Sequence, residues 1–244
     1  MKLPAYLDAL NLAALPIDYE WDNIIFNTFW ACNDEDNPRL VEAMLLSSLK
    51  AAYALGIASA EWVAARLDGH TDVIDLKLRI EAAWASTVDW RYANLPMPEP
   101  LEASAPRVVA SPVRLSKKLL AHSHEQYATG DFRLFSHAQG QIMLVDHIAG
   151  RAPAFAPWLA AALRTAALHY PVHPAHPEKE DPVDAQPAVP REMFEPGFVW
   201  SDAAVEVSQR ALVASITPAT NPYLRPAAEM RSLGFAGVPY GRSA

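Results

Sequence analysis

Residues 38–55 carry only three charges, Arg39, Glu42 and Lys50, and no other stretch constrains the fold as much. Asn37 is an N-cap residue type, Pro38 suits the first helical position, and Gly56 suits a C-terminal cap. At helical spacing Leu40, Met44, Ser47, Ala51 and Leu55 form one stripe, and Val41, Leu45, Leu49 and Ala52 form the next. A helix that is apolar on nearly every side needs neighbours on nearly every side. The chain is therefore expected to be all-α, a multi-helix globular bundle around a buried helix.

The rest of the chain supplies the neighbours. Residues 59–67 read as a short helix closed by Gly69, and 72–93 as a longer one with Val73, Leu76, Ile80, Ala83, Trp84 and Thr87 in register. Ser111-Pro112 reads as a start signal for a helix to Ala128, stopped by Gly130-Asp131. Helices follow over 133–149, 155–169, 200–216 and about 227–233, joined at first by short turns that favour antiparallel neighbours. Two proline-rich segments, 95–112 and 171–198, lack helical period and read as extended straps. The expected organisation is a helical group at 1–94, a linker at 95–114, and a three-helix group at 115–170. A strap at 171–198 and a C-terminal helix and tail at 199–244 complete one compact unit.

Composition excludes several classes. The 244 residues are 51% apolar and carry a net charge of −8. Without a block of Lys and Arg, an acidic chain is not expected to bind nucleic acid. Cys32 is the one cysteine, so an internal disulfide or cysteine zinc site is excluded and a cytoplasmic setting is expected. No stretch approaches the ~20 apolar residues of a membrane span, and residues 1–8 lack a signal-peptide core.

Seven of the eight histidines fall between His122 and His176. If 112–128 and 133–149 form an antiparallel hairpin about Gly130-Asp131, His124 lies level with His137. If the next helix turns back, His169 ends about 4.5 Å further along the axis. His124, His137 and His169 are thus the candidate metal ligands for Zn, Fe or Mn, with His122, Asp131, His173 and His176 nearby. Glu125, three residues after His122, is the candidate acid–base carboxylate. His147 lies at the other end. No zincin spacing and no paired Glu-x-x-His accompanies them.

Other features read as structural. The acids of 33–37 complement a helix N-terminus, and Ser116, Ser123 and Ser136 lack a nucleophile-elbow turn. Cys32 sits among aromatics, Trp62, Trp84, Trp90 and Trp158 follow helical patterns, and His70 follows a loop glycine. Three functions are consistent with this. The leading expectation is an interaction or accessory subunit that binds a protein partner, or itself, through the strap and tail. The alternatives are a metal-dependent helical enzyme using the histidines, and a small-molecule or tetrapyrrole binder in a helical pocket.

Overall fold

The computed structural model describes residues 2–33, 35–149, 152–172, 183 and 185–241. Among them the chain is all-α, with no β-strand. Its helices are α1 (Ala5–Leu10), α2 (Asn23–Trp30), α3 (Pro38–Met44), α4 (Leu49–Leu67) and α5 (Ile74–Val88). There follow α6 (Arg107–Thr129), α7 (Leu134–Ala149), α8 (Phe155–His169), α9 (Asp202–Ser215) and α10 (Ala227–Ser232). None is long and apolar enough to cross a membrane among the described residues.

The buried helix lies further along the chain than the sequence implied. Asn37 caps α3 as expected, but α3 ends at Met44. Ser48 then caps α4 by accepting the Ala51 N–H. Gly56 is no terminator: it lies inside α4, where an added Cβ would meet the Ala138 methyl at 3.4 Å. Residues 49–55 and 59–67 therefore form one helix, with Gly56 in its interior facing α7. Every one of the 19 residues of α4 except Ala65 is buried. Helices α1, α5, α6, α7 and α8 surround it.

Pro112 is also displaced from its expected role. It lies within α6, which begins at Arg107, so residues 107–114 are helix rather than linker. Proline has no N–H to offer the carbonyl four residues back. That carbonyl, on Val108, instead accepts the Tyr19 hydroxyl at 2.9 Å. Helices α7, α8, α9 and α10 stand within two residues of expectation. The region expected as 72–93 splits into α5 and a 3-10 turn at Trp90–Tyr92.

The tail lies on the body. Tyr92 meets Phe235 and Tyr240 edge-on, with ring centres 5.5 and 5.2 Å away. The Tyr240 hydroxyl donates to the Arg225 carbonyl at 2.6 Å. A single cluster of buried apolar side chains runs from Leu3 to Tyr240.

Helix α7 crosses α2 at Gly140, where any Cβ would overlap the Phe29 carbonyl oxygen. Gly→Ala inside a helix normally gains about 1 kcal/mol. Here the sign reverses: Gly140→Ala is expected to lower the unfolding free energy by about 2–3 kcal/mol in urea titration. Gly56→Ala, with room for its methyl, is expected to change it by less than about 1 kcal/mol.

Candidate functional site

A cavity of about 550 Å³ lies between α8, α1, α4 and the segment 193–200. Its walls are rings: Tyr6 from α1, Trp62 from α4, Trp158 from α8, Phe194 and Phe198 from the strap, and Trp200 just beyond it. Met193, Thr165 and His169 complete them. Local sequence explains the far wall. Glu195-Pro196-Gly197-Phe198 is a tight turn, closed by the Phe198 N–H on the Glu195 carbonyl at 3.2 Å. Proline second and glycine third, with Gly197 at φ 88°, suit a type II turn, which asks for positive φ at that place. The turn brings Glu195 and Phe198 to the cavity together.

Of the segment expected as an extended strap, residues 173–182 and 184 lie outside the described ones and Arg191–Phe194 form a 3-10 helix; polar groups at the ring tips fasten its described part to α8. Trp158 Nε1 donates to the Phe194 carbonyl at 2.9 Å, and the Tyr170 hydroxyl to the Ala188 carbonyl at 3.2 Å. His169 lies flat on Trp200, with centres 4.4 Å apart and planes 9° apart. Trp62 is fully buried, and its Nε1 and the Tyr6 hydroxyl lie near each other without a well-formed hydrogen bond.

Behind this wall sits Glu61 on α4, 1% exposed. Its Oε1 accepts from Trp84 Nε1 at 2.9 Å and from Arg191 Nε at 2.6 Å. Burial lifts the carboxyl to about 7, against the pull of Arg191 and the Trp84 N–H. The Tyr6 phenol is raised by its own burial and then by the Glu61 charge.

The histidines separate onto three surfaces. His124 points into the core. Its Nε2 faces the Ala93 carbonyl at 3.0 Å and its Nδ1 the Tyr53 hydroxyl at 3.3 Å. A carbonyl only accepts, so Nε2 carries the proton and Nδ1 is the acceptor. Burial holds His124 down at about 4, and it is neutral at pH 7. His137 lies elsewhere, parallel to His122 with centres 5.4 Å apart, both against Trp30. Burial lowers both rings. Lys118 Nζ covers the Trp30 ring at 3.4 Å. His169 is in the aromatic cavity.

The remaining candidates are equally dispersed. Glu125 is an exposed carboxylate 3.7 Å from His122 Nδ1. Asp131 is held by Arg133, whose hydrogen bonds keep its carboxyl below the usual range. His147 packs on Tyr19, Trp21 and Phe29, and His70 bonds the Ala13 carbonyl. Cys32 is buried, its thiol donating to the Ser136 carbonyl. His173 and His176 lie outside the described residues. Among those described, no three His, Cys, Asp or Glu side chains gather as ligands for one metal ion. The reason is angular: residues two apart on a helix point about 200° from each other. His122 and His124 thus serve opposite sides of α6, and His122 takes the place beside His137.

The aromatic cavity was not anticipated. Its rings read as core in the helices and as strap residues elsewhere; three aromatics within 194–200, in a segment without period, were the available signal. No protein family matches the chain, and neither a curated protein nor a solved structure is detectably similar to it.

Glu61 and His124 work against each other as pH changes. In the native state Glu61 titrates at about 7, against 4.5 for an ordinary carboxyl, so it keeps a proton that the unfolded chain releases. Its contribution to stability is complete below 4.5 and lost as the pH rises through 7. His124, at about 4 against 6.5, contributes stability that is lost as the pH falls below 6.5. Glu61→Gln removes the first titration. Its stability relative to the native chain is expected to climb by about 3 kcal/mol between pH 4.5 and 7 in urea titrations. A difference that stays flat across that window contradicts the assignment.

Proposed function

We propose that this chain binds a small apolar or aromatic molecule in the cavity walled by Trp62, Trp158 and Trp200. One observation carries the reading. About 550 Å³ lies between aromatic side chains of α1, α4, α8 and the segment 193–200. Ligand sites are commonly 300–1,000 Å³, mostly apolar, with a few polar groups that fix orientation. Thr165, His169 and Glu195 line this one as such groups. Helical scaffolds place sites of this kind between facing helices.

A second reading, an accessory subunit of a larger assembly, draws on exposed apolar side chains. Leu168, Val199 and Val207 are 72%, 81% and 65% exposed. If they form an interface, Val199→Asp combined with Leu168→Glu is expected to weaken self-association, read as native mass by light scattering.

The first reading is tested with Nile red, a neutral dye whose emission reports an apolar site. Its fluorescence is expected to rise and shift to the blue on binding. Ala161 lines the cavity from the exposed side of α8. Ala161→Trp fills the space and is expected to abolish the signal while the thermal midpoint moves by less than about 3 °C. Dye binding that survives this substitution places the site elsewhere.

A further inference from the structure

Resting on the ligand-binding reading, we infer that the cavity selects an organic cation: an ammonium head group on an apolar or aromatic body. The cavity's charge is one-sided. Among the described residues that line it, Glu195 is the one carboxylate, raised by burial and drawn back by Arg191 behind it, and no lysine or arginine contributes to the lining. The guanidinium behind the wall is already engaged. Arg191 gives Nε to Glu61 and Nη2 to the Lys2 carbonyl at 3.0 Å.

The rings act in the same direction. An aromatic face is the negative part of its quadrupole, and it attracts an ammonium most strongly where water is excluded. Trp62 and Trp158 are tilted towards each other with centres 5.2 Å apart, and Trp158 is 6.5 Å from Phe194. An alkylated ammonium sheds its water more readily than a bare one and presents methyl groups to such walls. An anion gains the same apolar contacts but meets Glu195 without a compensating base. A neutral molecule gains the contacts and nothing from the carboxylate. The expected order of affinity is cation, then neutral isostere, then anion.

Three probes of one shape separate these cases on the full chain: benzyltrimethylammonium, its carbon isostere neopentylbenzene, and phenylmethanesulfonate. Each is titrated against bound Nile red. Benzyltrimethylammonium is expected to displace the dye at concentrations about a hundredfold below the sulfonate. In Glu195→Gln the ratio of ammonium to hydrocarbon affinity is expected to fall about fivefold to tenfold. Glu195 sits on a turn at the cavity's edge, and circular dichroism checks that the variant folds. Equal affinity for sulfonate and ammonium, or a ratio unmoved by Glu195→Gln, overturns the cation inference and leaves the cavity reading intact. Nile red binding that none of the three displaces does the same. Failure of Nile red itself to bind removes the cavity reading, and the cation inference with it.

Discussion

Three buried charges on α4 hold the irregular parts of this chain in place. Lys50, Glu61 and Arg66 are 2%, 1% and 1% exposed. A buried charge needs partners, and so do the backbone groups of segments that form no regular structure. Each need meets the other here. Lys50 Nζ donates to the Gln186 carbonyl at 2.7 Å, while Gln186 Oε1 accepts the Lys50 N–H at 3.0 Å. Arg66 spreads its donors over the carbonyls of Leu15, Pro16 and Ile148 at 3.1, 2.6 and 2.9 Å. Glu61 takes Arg191. The N-terminal segment, the end of α7 and the strap are thus all tied to one helix.

The cavity follows from this fastening. The strap is pinned at Gln186 and Arg191 by α4 and at Phe194 by Trp158. Beyond the last pin the Pro-Gly turn redirects the backbone, and Trp200 returns to α8 flat on His169, with open space beside it. Regular helix packing would have filled such a volume with interlocking side chains, because ridges enter grooves at close range. An irregular segment held at a few points has no such requirement. Trp158 therefore packs on Trp62 and Trp200 on His169, and a gap remains between these pairs and the strap.

Periodicity revealed α7 and α8 because each has one apolar stripe and a clear stop. It did not place α4. Glycine ends helices because it tolerates positive φ, and it also permits close helix contact because it lacks Cβ; Gly56 lies mid-helix, Gly140 uses the second property, and composition does not distinguish them. Pro112 misled for a similar reason. The group that answers its missing N–H is Tyr19, 89 residues away in sequence. For the histidines, counting residues from the Gly130 turn gave the correct height but not the correct face. His122 and His137 met, while His124 turned to Tyr53. The cavity was hidden more deeply, since sequence indicates that a ring will be covered but not whether the covering leaves a gap.

The Glu61–Arg191 pair spans 130 positions of the chain. During synthesis α4 leaves the ribosome long before its partner strap exists. A nascent chain that already buries α4 encloses a carboxyl with no guanidinium to meet it, and it must keep that group protonated or leave that end of the helix open to water. Arg66 imposes a shorter wait of the same kind, until Ile148 has emerged. The N-terminal residues, first to appear, are therefore among the last to be secured, and the interior seals only when the strap arrives.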